Sequence, residues 1–152
     1  MKYALSAACL IVAAAVAASA QRPAAPTMEV FKSPTCGCCS VWVEHVRAAG
    51  FTVRVTDLGN DALDALKAKH GVPRVAQSCH TALVGGYVVE GHVPAADIQR
   101  LLKEKPQVAG IAVGGMPIGS PGMEVPGQRA QPYNSVSFDR QGTTRVFATH
   151  NQ

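Results

Sequence analysis

The sequence predicts a mixed α/β domain of order βαβαββα, preceded by a short leader and followed by a Gly/Pro/Met loop and a small C-terminal hairpin. Three observations carry that prediction. The apolar run Met28–Lys32 breaks at Ser33-Pro34-Thr35 and gives way to apolar residues at helical spacing. Two further apolar runs flank Gly85-Gly86, the strongest hairpin signal in the chain. After Pro106 the composition changes to glycine, proline and methionine.

Taken in order, the chain of 152 residues opens with Lys2 and an almost wholly apolar run from Ala4 to Ala18. Ala18-Ser19-Ala20 fits the small-x-small pattern of leader cleavage, so residues 1–20 read as a secretory signal peptide. The run is shorter than the ~20 residues a membrane span needs. Cys9 would leave with the leader and stands too early for a lipid-anchored cysteine. Residues 21–27 form a Pro/Ala linker. Residues 28–106 carry the predicted domain, and residues 107–152 a loop and hairpin extension of it.

Within the domain, strand one is Met28–Lys32, ended by a proline that cannot continue a central ladder. A helix from about Cys39 to Ala49 follows, with Trp42, Val43 and Val46 on one face and Gly50 as its stop. Phe51–Thr56 alternates apolar and polar residues and reads as strand two, parallel to strand one because a helix separates them. Asp61–His70 makes a second helix, with Ala62, Leu63 and Leu66 inward and Gly71 after it. Thr81–Val84 and Tyr87–Glu90 are the two hairpin strands. Pro94 suits the first turn of a third helix, Ala95–Lys105, whose buried face is Ile98, Leu101 and Leu102. Gly114 to Gly127 can be neither helix nor central strand, and Ser135–Phe138 with Thr144–Ala148 suggest the terminal hairpin. This order, with thiols at the end of strand one, matches the thioredoxin-like arrangement of a four-stranded mixed sheet with helices on both faces.

The formal net charge is +4, and it falls by one when Lys2 leaves with the leader. No basic block concentrates that charge, which argues against a nucleic-acid partner, and no membrane association is expected after cleavage. There are no internal repeats. The leader points to the periplasm, where thiols are normally oxidised. Cys36, Cys38, Cys39 and Cys79 remain in the mature chain, three of them almost contiguous. A structural staple joins distant segments, so a cluster of this kind favours chemistry over scaffolding.

Cys36 and Cys39 stand at the spacing of a redox CxxC pair, and Cys36 and Cys38 at that of a chelating CxC pair. Thiols at a helix N-terminus meet orphan N–H groups and the positive end of the dipole, which lowers their pKa. Thiolate is both nucleophile and soft metal ligand. A pure disulfide exchanger needs two thiols, and a third between them would intercept the mixed disulfide, so Cys38 favours metal. Dithiol redox chemistry, with Cys36 attacking and Cys39 resolving, and a structural disulfide stay open as alternatives.

Cys79-His80 precedes the third strand, where it would complete a thiolate site, resolve a disulfide or lie inert in the core. Met116 and Met123 bracket the Gly/Pro loop. Soft thioethers beside clustered thiols suit Cu(I), whereas zinc more often recruits imidazole and carboxylate. The plainer reading is that they cover the thiol helix. His92 either reaches the site or simply leads into the third helix. His45 is expected to be partly exposed, and His70 to place favourable charge at a helix C-terminus.

The combination of Ser33-Pro34-Thr35-Cys36-Gly37-Cys38-Cys39, Ser78-Cys79-His80-Thr81, Gly91-His92-Val93-Pro94-Ala95 and Gly115-Met116-Pro117-Ile118-Gly119-Ser120-Pro121-Gly122-Met123-Glu124 resembles the DUF411 family. That family comprises periplasmic thioredoxin-like metal-binding proteins, among them the CopG-type proteins found beside copper-resistance systems. The likeness runs from about Met28 to His150. It implies a thioredoxin-like core whose redox motif has become a copper site, serving copper handling or Cu(I)/Cu(II) conversion. By motif it implies Cys36, Cys38, Cys39 and Cys79 as thiolate ligands, with Met116, Met123 and His92 as additional candidates. It further implies copper ions and periplasmic copper-handling proteins as partners.

Overall fold

A computed structural model describes residues 26–152, so the predicted signal peptide and most of the linker lie outside the described residues. The elements are β1 (Met28–Lys32), α1 (Gly37–Ala48), β2 (Val53–Asp57), α2 (Asn60–Lys69), β3 (His80–Val84), β4 (Tyr87–Glu90), α3 (Ala95–Glu104), β5 (Gly110–Ala112), β6 (Tyr133–Phe138) and β7 (Thr144–His150). A single turn of 3-10 helix, Arg74–Ala76, lies before β3. The expected βαβαββα order is present, and the class is mixed α/β.

One seven-stranded sheet runs β2-β1-β3-β4-β5-β6-β7. β1 pairs parallel with β2 and antiparallel with β3, which puts Lys32 opposite His80. Period-two alternation sorts side chains onto the two faces. On one face Val30, Ala82, Val89 and Ile111 pack with Trp42, Val43 and Val46 of α1 and with Ile98 and Leu101 of α3. On the other face Val88, Ala112 and Phe138 pack with Val72 and Ala76. The α2 side chain Lys67 bonds Thr81 and Glu90 of β3 and β4.

The structure corrects the sequence reading at several points. Helix α1 begins at Gly37, so Cys38 and Cys39 are helical and Cys36 is the N-cap. Phe51 precedes β2 and is buried in the α1 face of the core. Pro94 caps α3 from outside its first turn. Residues 110–112, read as part of the tail, form β5, parallel to β4 and antiparallel to β6. A three-residue strand has no periodicity of its own to detect, and its neighbours define it. Gly110 is required there, because a Cβ would lie 2.1 Å from the Val88 carbonyl oxygen. The terminal hairpin is consequently no separate appendage: β6 and β7 continue the sheet that β1 to β4 begin. Among the described residues no helix is long and apolar enough to cross a membrane.

A buried ion pair ties α2 to the sheet. Lys67 Nζ donates to Glu90 Oε1 at 2.6 Å and to Thr81 Oγ1 at 2.9 Å. Thr81 donates to Glu90 Oε2, and the Ser78 N–H to Glu90 Oε1 at 2.7 Å. The same carboxylate therefore holds the segment that carries Cys79. Lys67→Met leaves this carboxylate buried without its counter-charge and should lower unfolding stability by about 3–5 kcal/mol, read from urea denaturation. The double variant Lys67→Met/Glu90→Gln should lose less, and an equal or larger loss would show that the pair is not what stabilises the contact.

Candidate metal centre

The site forms where β1 ends. The Cys36 N–H bonds the Ser33 carbonyl at 3.1 Å, turning the chain into α1, and the Ser40 N–H bonds the Cys36 carbonyl. Cys36 has no side-chain cap bond, and the first turn of α1 holds no acidic residue. The orphan N–H groups there remain available to stabilise negative charge on sulfur. Cys79 arrives from the other side of the sheet order, one residue before the β3 position that pairs with Lys32. Strand pairing thus joins residues 40 positions apart in sequence.

Cys36 and Cys39 are joined by a disulfide, with their Cα atoms 5.4 Å apart, while Cys38 and Cys79 are free thiols. Cys38 Sγ is 3.6 Å from Cys36 Sγ, and Cys79 Sγ is 3.3 Å from Cys39 Sγ. All four sulfurs lie within 4.8 Å of one another. Cys39 is fully buried. Cys36 and Cys79, both half-buried, line a cleft of about 360 Å³ together with Ser33, Asp64 and Ser78. A larger concavity of about 930 Å³ lies by the Gly85-Gly86 turn and touches none of the cysteines. Burial, followed by repulsion from Cys38, pushes the Cys79 thiol up to about 11.

His92 is fully buried and points its two nitrogens at different partners. Nδ1 lies 2.8 Å from the Pro121 carbonyl, which can only accept, so Nδ1 carries the proton and Nε2 keeps its lone pair. Nε2 lies 3.1 Å from Cys79 Sγ. His92 therefore reaches the cluster, and burial holds its pKa below the usual histidine value.

Both methionines follow residues whose backbone touches the site. Gly115, before Met116, accepts from Ser78 Oγ and donates to the Gln77 carbonyl. Met116 itself is 52 % exposed. Gly122, before Met123, rests on the first turns of α1: a Cβ there would come within 2.7 Å of the Cys38 carbonyl and 3.0 Å of the Trp42 nitrogen. The loop closes over the thiol helix, as the plainer reading expected, and does so through backbone. Met123 is half-buried.

His45 stays away from the sulfurs and serves structure, its Nε2 accepting from the Ala95 N–H at the start of α3. His70 is the C-cap of α2. The sequence reading placed His80 just before the third strand and gave it no role of its own. It is the first residue of β3, completely buried, with its ring centroid 4.3 Å from that of Trp42 in a tilted arrangement and edge-on to His92 at 5.1 Å. Its Nδ1 lies 3.5 Å from Cys79 Sγ. Burial, then repulsion from His92 whenever that ring is protonated and from the Lys67 ammonium, drives its pKa well down, which favours the neutral ring. The signal was present: the alternation that turns Ala82 and Val84 inward turns His80 inward as well.

A family model described as "Protein of unknown function, DUF411" matches residues 76–123, the stretch that holds Cys79, His80, His92, Met116 and Met123. The solved structure of copper resistance protein CopG, form 2, is 43 % identical, covers 83 % of this chain and 98 % of its own, and superposes with a TM-score of 0.75. Form 1 of copper resistance protein CopG is 41 % identical, with 84 % and 99 % covered and a TM-score of 0.76. No curated protein matches.

The raised Cys79 pKa has a measurable consequence. With the disulfide intact, thiolate at Cys79 is about one part in a thousand at pH 8 and grows only toward about 11, above the ordinary thiol value of 9.0. Alkylation of Cys79, followed by peptide mass spectrometry, should accelerate throughout pH 8 to 11. A rate that levels off near 9 would show that burial does not govern this thiol.

Proposed function

The chain belongs to the DUF411 family together with the CopG copper resistance proteins, and from that premise we propose that it is a periplasmic copper-binding protein that handles copper through clustered thiolates. The observation that carries the reading is the convergence of Cys36, Cys38, Cys39 and Cys79 within 4.8 Å, a donor set of sulfur without carboxylate. Soft thiolates suit Cu(I) and also bind zinc, and the likeness to the CopG copper resistance proteins favours copper. Two-electron reduction of the Cys36–Cys39 disulfide by an external dithiol, which passes its two protons and two electrons to Cys36 and Cys39 and is itself oxidised to a disulfide, frees the two sulfurs that the oxidised chain withholds, so in this reading copper loading follows reduction. The N-terminus of α1 favours the resulting thiolates. His92, aimed at Cys79, and the loop methionines Met116 and Met123 act as further ligands. Copper, when bound, supplies the Cu(I)/Cu(II) couple. The chain's own residues supply the charge balance, the tautomer of His92 and the cleft by which the ion and copper-handling partner proteins approach. The leader at residues 1–20 and the oxidisable cluster together support the periplasm as the compartment.

The second reading is thiol–disulfide exchange, and the disulfide itself favours it. Cys36 faces the cleft while Cys39 is buried behind it, the asymmetry expected of an attacking and a resolving thiol.

An anaerobic Cu(I) titration of the reduced protein against a competing chelator, with elemental analysis, separates the two readings. Tight binding should weaken at least tenfold, about 1.4 kcal/mol, in Cys38→Ser, whose sulfur a dithiol mechanism does not need. Unchanged copper stoichiometry and affinity in that variant would reject the thiolate cluster. Disulfide reductase turnover by metal-free protein, above that of free dithiol and lost in Cys36→Ser, would support the exchange reading instead.

A further inference from the structure

Two free thiols stand against the Cys36–Cys39 disulfide, and they are not equivalent. Cys79 Sγ lies 3.3 Å from Cys39 Sγ, while Cys38 Sγ lies 3.6 Å from Cys36 Sγ. Disulfides exchange by attack of a thiolate on one of their sulfurs, so each contact is a route along which the bond can move. Cys39 has no exposed surface. An external thiol does not reach its sulfur, but Cys79 touches it from inside the fold.

Two features make the Cys79 contact the productive one. Attack on Cys39 expels Cys36, the N-cap residue of α1, where orphan N–H groups favour a thiolate and so a good leaving group. Attack by Cys38 on Cys36 would instead expel Cys39, releasing charge where burial penalises it. The displacement is also small. A disulfide bond is about 2.05 Å long, so bonding draws the Cys39 and Cys79 sulfurs together by only about 1.3 Å. Glu90 holds the Ser78 N–H beside Cys79, so the attacking sulfur sits on a fixed backbone.

We propose that the Cys36–Cys39 linkage is one of two disulfide isomers, and that Cys79 converts it to the other by attacking Cys39. The Cys79–Cys39 bond forms as the Cys39–Cys36 bond breaks, and the electron pair leaves on Cys36. The proton lost by Cys79 returns to Cys36 through the cleft that both residues line. One disulfide and two thiols stand on each side of this step, so no oxidant or reductant enters. In the first isomer the free sulfurs are Cys38 and Cys79; in the second they are Cys36 and Cys38, the CxC pair at the head of α1. The oxidised chain thereby regains a thiol at the cleft, and the new bond ties α1 to the start of β3 across 40 residues. The relay rests on the exchange reading only in taking the disulfide as part of the working protein, and it needs no metal.

Tryptic mapping separates the isomers, because Cys36, Cys38 and Cys39 fall in residues 33–47 and Cys79 in residues 75–100. Cys38→Ser, metal-free and anaerobic with one disulfide per chain by intact mass, leaves three sulfurs in the mature chain, so a single iodoacetamide label identifies the isomer. Labelling of the native protein at pH 8 should mark Cys36, with Cys39 and Cys79 joined between the two peptides. That label should form at least tenfold faster than in Cys38→Ser/Cys79→Ser, where Cys36 and Cys39 have no other sulfur to exchange with. Variants are scored where their near-ultraviolet circular dichroism is native, and wild-type protein mapped in the same way should yield the same Cys39–Cys79 crosslink. Label confined to Cys79, a Cys36–Cys79 crosslink, or a crosslink formed only after unfolding in guanidinium would overturn the relay. Disulfide reductase turnover is measured on separate samples. Crosslink without turnover rejects exchange with external substrates and upholds the relay, whereas turnover without crosslink rejects the relay and upholds external exchange.

Discussion

The antiparallel pairing of β1 with β3, in the register that sets Lys32 against His80, is the constraint on which the centre depends. β1 runs toward the turn that carries Cys36, Cys38 and Cys39, and β3 starts at that same end of the sheet with Cys79 just before it. A slip of one residue would reverse the faces of β3 and turn His80 away from Trp42 and His92. The register is specified because one face of β3 supplies Ala82 and Val84 to the α1 and α3 core while Thr81 on the other meets Lys67 and Glu90. Core packing and the chemistry of the cluster are thus set by the same ladder.

The loop after β5 completes the arrangement from above. Its Pro121 carbonyl fixes the His92 tautomer, and Gly122 allows the chain to rest on the first turns of α1. The role of this segment lies in backbone carbonyls and in the absence of a side chain, so its glycines and prolines matter as much as its methionines. Glu90 acts from below, holding the Ser78 N–H while it neutralises Lys67. The Cys79 segment is consequently clamped on both sides, by Glu90 through Ser78 N and by Gly115 through Ser78 Oγ.

The C-terminal strands are held to the body by a second polar cluster. Asp97 of α3 accepts from Ser135 Oγ at 2.6 Å and lies 2.9 Å from His150 Nε2, and Arg100 stacks on the Phe147 ring. Tyr133 stacks on His150 at 4.7 Å. Both Ser135 and His150 address the same oxygen of Asp97, so the trio fastens β6 and β7 under α3 and lacks the relay order of a nucleophilic triad.

Residue pattern alone determined the order of the first seven elements, the CxxC and CxC spacings, the hairpin at Gly85-Gly86 and the family likeness, because helices and strands of ordinary length carry their period in the chain and because thiol clustering is visible as spelling. Tertiary structure decided the rest. β5 exists only through its two neighbours, and with it the continuity of one seven-stranded sheet. The Cys36–Cys39 pairing, chosen among three closely spaced thiols, required the helical i,i+3 geometry that begins at Gly37. His80 and His92 look alike as sequence neighbours of strands and turns, yet one lies against Trp42 and the other on Pro121. Their convergence on Cys79 is a matter of register and loop closure, long-range contacts that no local period encodes.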